Sequence, residues 1–180
     1  MRIISGKLKG RRFYPPADKW PTRPTTDISK EGLYNILQHS LDFESINMLD
    51  LFGGTGNHCY EFISRGCKSV TYVDRHRPCV KFVESLAKEL EIESFIKIVK
   101  ADVFKFINKT VDKYDFIFAG PPYPLKKIPE IPQLIFDHNL LKGGGTLVLE
   151  HNQDHQFNNH FGFEQVRKYG GTFFSFFKKK

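Results

Sequence analysis

The chain has 180 residues, of which 40% are hydrophobic and 26% charged, so it can form one ordinary domain with a real core. The N-terminus lacks the apolar core of a signal peptide, and no run approaches 18 uninterrupted apolar residues. We therefore expect a soluble, cytoplasmic, globular protein without a membrane partner. Three cysteines without C-x-x-C spacing predict reduced, partly buried thiols and argue against a disulfide framework or a zinc site.

The net charge of +7 is concentrated at the start of the chain. Residues 1–30 carry eight basic and two acidic groups, a net charge of +6, whereas the other 150 residues carry only +1. Such a distribution is typical of a protein that binds a polyanion through phosphate contacts. A solubilising tail is the alternative. The candidate phosphate contacts are Arg2, Lys7, Lys9, Arg11 and Arg12.

The leading segment predicts a small appendage followed by a helix. Residues 2–5 and 11–14 are typical of two short strands around a glycine-containing turn, and a proline-punctuated stretch follows. Thr25 or Thr26 can cap a helix. Its expected apolar face comprises Ile28, Gly32, Leu33, Ile36 and Leu37. We accordingly divide the chain into a basic hairpin and linker, residues 1–24, and a main domain, residues 25–180.

From residue 47 onward, apolar strands alternate with helices. Such alternation predicts an α/β fold with a mostly parallel sheet covered on both faces, closed by a C-terminal antiparallel hairpin. The predicted strands are 48–52, 69–73, 95–99, 114–118 and 145–150, with hairpin strands 163–167 and 172–177, and the predicted helices span about 57–65, 78–90 and 131–141. Phenylalanines near the C-terminus, including Phe161, are expected to fill the core.

Acidic residues and glycines collect at the predicted carboxyl ends of the first three strands, where ligands bind in open α/β sheets. Asp50 lies in the first strand, which precedes Gly53, Gly54 and Gly56, and Asp74 ends the second strand, 20 residues after Gly54. Asp102 follows the third strand. Each aspartate singly could equally cap a helix.

The pattern favours S-adenosylmethionine (SAM) over a nicotinamide dinucleotide. The dinucleotide motif needs a third glycine where this chain has Cys59. SAM has no phosphate, and its ribose, adenine and ammonium groups suit carboxylates. The three aspartates therefore match SAM better.

The sequence Gly120-Pro121-Pro122-Tyr123 ends the fourth strand. Methyltransferases acting on exocyclic amines carry Asp or Asn, two prolines and an aromatic residue at the mouth of the SAM site. The side-chain oxygen and a main-chain carbonyl accept the amine N–H bonds while the aromatic ring stacks the base. Gly120 lacks that side chain, which leaves main-chain acceptors such as the Pro121 carbonyl and can cost about a hundredfold in rate.

These motifs together resemble the RsmD family of class I SAM-dependent methyltransferases, which methylate N2 of a guanine in bacterial 16S ribosomal RNA. The resemblance covers essentially the whole chain. It depends on residues 2–11, 22–27, 30–37 and 49–56 and on the Pro-Pro-Tyr turn. It implies a Rossmann-like methyltransferase sheet and, as partner, 16S rRNA or an assembling small subunit.

The resemblance also implies roles for particular residues. Asp74 would bind the ribose, Asp102 with Val103 the adenine, and Arg23 and Thr25 would lie over the cofactor. The SAM loop would comprise Asp50, Phe52, Gly53, Gly54 and Gly56, and the catalytic turn Gly120, Pro121, Pro122 and Tyr123.

Two alternatives remain open at the level of the sequence. The first is a noncatalytic RNA-binding or ribosome-assembly factor, since Gly120 removes an acceptor. The second is an N-methyltransferase for DNA adenine or a protein amide. We expect a monomer. We also expect no metal site, because the polar stretch around His151 and His155 is typical of a loop. His58 is expected to be a surface or helix-terminal histidine.

Overall fold

The structure is a computed structural model that describes residues 1–16, 20 and 25–180. Its centre is a seven-stranded sheet of order β3-β2-β1-β4-β5-β7-β6. The strands are β1 Asn47–Leu51, β2 Ser69–Asp74, β3 Ile96–Lys100, β4 Tyr114–Ala119, β5 Leu141–His151, β6 Phe163–Tyr169 and β7 Thr172–Lys178. No helix among the described residues is long and apolar enough to cross a membrane.

In the described part of the chain five α-helices flank the sheet: α1 Asp27–Leu37, α2 Asn57–Ser64, α3 Arg77–Glu89, α4 Val103–Lys109 and α5 Ile131–Asp137. Short 3-10 helices occupy Glu93–Phe95 and Ile128–Glu130. The Thr26 side chain caps α1 by accepting a hydrogen bond from the Ser29 amide, as one of the two predicted caps. Helix α5 ends earlier than predicted, because Asn139 adopts a left-handed φ of 55° just beyond it.

Strands β1 to β5 pair in parallel, and β7 pairs antiparallel with both β5 and β6. The predicted α/β class and the C-terminal antiparallel hairpin are therefore confirmed. Alternate residues of the central strands enter two separate hydrophobic clusters, one on each face: Phe116 and Phe118 join one cluster, and Ile117 and Ala119 the other. All three cysteines are free and buried, as predicted.

Two predictions about buried aromatic and aliphatic side chains are wrong. Ile28 is 77% exposed, and Phe161 is 69% exposed. The buried face of α1 instead carries Lys30, Leu33, Tyr34 and Leu37. A lysine occupies this face because its ammonium group finds buried acceptors, which sequence periodicity does not reveal.

The basic leading segment folds back on itself but contains one β-bridge, between Arg2 and Arg12, instead of the two strands predicted. Backbone hydrogen bonds still join its two arms, including one from the Ile3 amide to the Arg11 carbonyl at 3.0 Å. Ile3 and Phe13 are buried in the same hydrophobic cluster as α1, α2 and α3. The segment thus contributes side chains to the core.

A fully buried ion pair attaches this segment to the main body. Lys30 Nζ lies 3.3 Å from Glu61 Oε2, and both side chains are 0% exposed. The ammonium also donates to the Arg2 carbonyl at 2.6 Å and to Asn57 Oδ1 at 2.8 Å. Glu61 in turn accepts from the backbone amides of Ile4 and Ser5. The pair therefore joins the leading segment, α1 and α2.

We expect Lys30→Met to lower the free energy of unfolding by about 3 kcal/mol, since it removes one of the two cations that pair with the buried Glu61 carboxylate and leaves that carboxylate with Arg65 alone. Glu31→Gln, on the same helix as Lys30, is the matched control. It breaks the half-exposed ion pair between Glu31 and Arg2 and should cost less than about 1 kcal/mol. Urea denaturation measures both. Equal losses would show that the buried pair has no special role.

Candidate functional site

The winding direction of the sheet reverses at β1, which has β2 on one side and β4 on the other. In open α/β sheets the crevice at such a point, beyond the carboxyl ends of the strands, is where ligands bind. The glycine loop follows β1, and the Gly120 turn follows β4. The two sequence motifs therefore meet at one crevice, which is the candidate site.

The glycine loop requires its glycines for two physical reasons. A Cβ on Gly53 would lie 2.4 Å from the Tyr72 ring, and Gly56 has a left-handed φ of 75°. Tyr72 holds the loop by donating its hydroxyl to the Gly54 carbonyl at 2.7 Å. Phe52, just before the loop, has a φ of 59°, a conformation that costs energy in a non-glycine residue and is concentrated at functional sites.

Asp74 ends β2 with its carboxylate buried against the loop. Its Oδ2 accepts the Gly54 amide at 2.9 Å, and its Oδ1 accepts the His76 amide at 2.7 Å. Each carboxylate oxygen has two acceptor positions, so these contacts orient the group and leave capacity for ligand hydroxyls. The geometry suits the predicted ribose contact.

Asp50 is a second buried carboxyl of the site. Burial raises its pKa to about 7, a hydrogen bond from Cys59 Sγ at 3.0 Å opposes that rise, and the charges of Asp74 and Glu150 add to it. The ion pairs of the described residues include neither Asp50 nor Asp74. The site therefore concentrates negative charge that a cationic ligand would balance.

Asp102 caps α4, accepting from the amides of Phe104 and Lys105 at 3.1 and 3.2 Å. Its other oxygen lies 3.7 Å from Arg75 Nη1. Val103, the first residue of α4, is buried. The helix-capping role that the sequence left open is thus real, and it is compatible with a ligand contact at the partly exposed carboxylate.

The Gly120 turn lies directly against the β1 end, because the Gly120 amide donates to the Leu51 carbonyl at 3.1 Å. Its φ lies outside the left-handed region, so the backbone admits a side chain, but a Cβ there would lie 3.0 Å from Phe118 Cε1. Pro121 is buried and Pro122 exposed. The half-buried Tyr123 directs its hydroxyl to Glu150 Oε1 at 3.3 Å.

Sequence reasoning missed Glu150 as a member of this site. The side chain is buried at the end of β5, where Oε2 accepts the Thr25 hydroxyl at 2.5 Å. Thr25 thereby lies beside Glu150 at the edge of the crevice. The available signal was positional, since Glu150 ends the predicted strand 145–150, as Asp74 ends the second strand.

The prediction of a surface position for His58 is wrong, although the residue does lie in the first turn of its helix. His58 is buried, and burial lowers its pKa to about 3, with the charge of Lys30 adding to that effect. Its Nε2 lies 3.2 Å from Thr25 Oγ1, and its ring stacks on Phe118 with centroids 3.8 Å apart. The neutral imidazole is a buried support of the site.

The predicted phosphate contacts lie on one short segment. Lys7, Lys9, Arg11 and Arg12 are exposed, whereas Arg2 is paired with Glu31 at 2.7 Å. Tyr14, 78% exposed, follows them. Arg23, predicted over the cofactor, lies outside the described residues.

His151, considered as a metal ligand from the sequence, is engaged with protein partners. Its Nε2 lies 2.8 Å from Ser175 Oγ, and its Nδ1 lies 2.7 Å from the Asn152 carbonyl. Within the part of the chain that the structure describes, no group of three or more histidine, cysteine or carboxylate side chains could hold a metal ion.

Solved structures share the whole architecture. The Escherichia coli protein yhhF superposes with a TM-score of 0.86 at 21% identity, covering 100% of this chain and 98% of that one. A Thermus thermophilus 16S rRNA N2 methyltransferase, RsmC, in complex with AdoMet and guanosine, superposes with a TM-score of 0.68 at 21% identity, covering 87% of this chain and 44% of that one. At these identities the likeness establishes the methyltransferase-type Rossmann-like fold.

Sequence relatives establish the family. The Bacillus subtilis protein YlbH is 32% identical over 186 residues, covering 100% of both chains. Ribosomal RNA small subunit methyltransferase D of Buchnera aphidicola is 27% identical over 150 residues, covering 83% of this chain and 75% of its own. The family model described as conserved hypothetical protein 95 matches residues 1–178. The chain therefore belongs to this family, which is the RsmD family that its sequence predicted.

Proposed function

We propose that this protein is a SAM-dependent methyltransferase of small-subunit ribosomal RNA that methylates the exocyclic N2 of a guanine. The observation that carries the proposal is the meeting of Asp50, Asp74 and the glycine loop with the Gly120 turn at the switch point of the sheet. A family relative from Buchnera aphidicola named for small-subunit rRNA methylation supports the RNA substrate.

The acceptor groups of the site fit the hydrogen-bond donors of SAM. Asp74 is oriented to accept ribose hydroxyls, and the buried Asp50 can balance the ammonium group. Asp102 and Val103 at the start of α4 would face the adenine, and Phe52 and the loop glycines would line the amino-acid end. Bound SAM supplies an electrophilic methyl group on a sulfonium, and its transfer to an amine releases one proton.

The turn would hold the target amine. In our proposal the Pro121 carbonyl and the main chain at Gly120 accept amine N–H bonds, Pro122 shapes the turn, and the Tyr123 ring stacks the flipped base. The RsmC complex with AdoMet and guanosine supports N2 of guanine as the target, since that related fold holds both molecules. Transfer would then be direct and in line, without a covalent enzyme intermediate.

The leading segment, residues 1–24, would bind the RNA backbone beside the catalytic domain, residues 25–180. Lys7, Lys9, Arg11 and Arg12 are exposed and suited to phosphates, and the exposed Tyr14 ring adds a stacking surface. Arg2 would contribute less, because Glu31 already pairs with it.

A noncatalytic rRNA-binding factor is the second candidate, since Gly120 lacks the side-chain acceptor of the motif. It predicts binding of SAM and RNA without methyl transfer.

We expect calorimetry to detect binding of SAM but not NAD, and tritiated methyl incorporation to detect transfer to small-subunit RNA. Asp74→Ala should weaken SAM binding about 10- to 100-fold, as expected for lost hydrogen bonds to a charged group. Asp137→Ala, at an exposed site on α5, is the control. Unchanged affinity in Asp74→Ala would place the ribose elsewhere, and SAM binding without methyl incorporation would favour the noncatalytic factor.

Cofactor affinity should depend on pH through Asp50, whose pKa of about 7 is above the ordinary 3.8. As pH falls below 7 the carboxyl gains a proton and loses the charge that attracts the ammonium, so affinity should fall towards tenfold per pH unit. Calorimetry between pH 5.5 and 7.5 measures this. Asp50→Asn should bind weakly across the range, and a flat native profile would rule out this role.

RNA affinity should depend steeply on salt. Each removal of a phosphate-contacting cation, tested as Lys7→Gln and Lys9→Gln, should reduce the slope of log affinity against log salt by about 0.7–0.9. Lys113→Gln is the control, since Lys113 is exposed just before β4, at the opposite end of the sheet from the crevice. Filter binding across a salt series gives the slopes. If Lys7→Gln and Lys9→Gln gave the same slope as Lys113→Gln and the native protein, these two lysines would not contact RNA phosphates.

A further inference from the structure

We propose that Glu150 supplies the side-chain acceptor that Gly120 lacks, and that its carboxylate binds the target amine. This inference rests on the proposed function. It assigns a catalytic residue on β5 to a reaction whose motif lies after β4.

The strand register places the two residues side by side. Strands β4 and β5 pair in parallel up to Ala119 and Leu149, so the next residues along the two chains are Gly120, just past the end of β4, and Glu150 of β5. A carboxylate at Glu150 therefore starts from the strand adjacent to the missing side chain.

Both residues also face the same side of the sheet. A Cβ on Gly120 would contact the Phe118 ring, which belongs to the cluster that includes Val148 and Phe174. Glu150 lies two residues after Val148 and opposite Phe174 in the register of β5 with β7. Its contact with Thr25, which also touches His58, confirms this side. Side chains at positions 120 and 150 would thus enter one space.

The carboxylate is held in a defined orientation. The Thr25 hydroxyl donates to Oε2 of Glu150 at 2.5 Å. The hydroxyl of Tyr123, whose ring is the proposed stacking surface, donates to Oε1 at 3.3 Å. Tyr123 also lies 3.5 Å from Thr172 Oγ1. A carboxylate has about four acceptor positions, so it can accept an amine N–H in addition to several protein partners. A base stacked on Tyr123 would then present its exocyclic amine towards this carboxylate.

The chemistry balances without another reactant. As the N–C bond forms and the C–S bond breaks, the electron pair of the broken bond stays on sulfur. The proton lost from the nitrogen passes along its hydrogen bond to a carboxylate oxygen of Glu150. The same group therefore orients the amine and receives its proton.

A rescue experiment separates this role from mere support of Tyr123. Glu150→Ala should lower the rate of methyl incorporation into small-subunit RNA about a hundredfold, with SAM affinity changed less than about threefold. Gly120→Asn should raise the rate of the Glu150→Ala variant at least about tenfold, because the asparagine side chain supplies the acceptor that the alanine removes. If Glu150 only supports Tyr123, the added asparagine restores nothing, and the inference is wrong.

Nucleoside binding provides a test that does not depend on turnover. Inosine differs from guanosine by lacking the exocyclic amine, so with S-adenosylhomocysteine present the native protein should bind guanosine about tenfold more tightly. Glu150→Ala should reduce that preference to about twofold, while Glu164→Ala, at an exposed glutamate of β6, should retain it. Equal native affinities, or no binding of either nucleoside, would overturn the inference.

The two experiments also keep the proposals distinct. A native protein that methylates no small-subunit RNA would contradict the proposed function, and the nucleoside comparison would then decide the role of Glu150 by itself. Methylation that is insensitive to Glu150→Ala would contradict only the inference.

Discussion

The buried pair of Lys30 and Glu61 is the interaction on which the rest of the structure depends. Burial lowers the pKa of Lys30, and the Glu61 carboxylate opposes that shift, so the charged form of Lys30 needs its partner. Glu61 also accepts the Ile4 and Ser5 amides and pairs with Arg65 at 3.0 Å. One carboxylate therefore holds the leading segment, α1 and α2 in a single arrangement, and the basic surface keeps a defined position relative to the crevice.

The same arrangement extends into the site through His58. The Tyr34 hydroxyl, on α1, lies 3.2 Å from His58 Nδ1, and the ring of His58 stacks on Phe118 two residues before Gly120. Because its pKa is about 3, the imidazole stays neutral at physiological pH and adds no charge to the acidic crevice. The absence of a side chain at Gly120 is consistent with this packing, since a Cβ would press on the Phe118 ring.

Charge is divided between the two parts of the molecule in a way that suits the proposed reaction. Exposed cations lie on the leading segment, where a polyanion can be bound without entering the core. Carboxylates lie at the carboxyl edge of the sheet, where burial, together with repulsion from Asp74 and Glu150, raises the pKa of Asp50 and favours a cationic cofactor. Glu150 extends that acidic group to β5, beside the turn, and would act on the amine after cofactor and base are in place.

The sequence by itself determined the α/β class, the family and the crevice, because strand periodicity, the glycine loop and the Pro-Pro-Tyr turn are local patterns with direct geometric meaning. It also predicted the ends of most strands to within a residue or two. Only the tertiary structure decided that Lys30 is buried while Ile28 is exposed, since burial of an ammonium depends on Glu61, 31 residues away. The place of Glu150 likewise follows from the register of β4 with β5, a long-range pairing that local pattern does not encode.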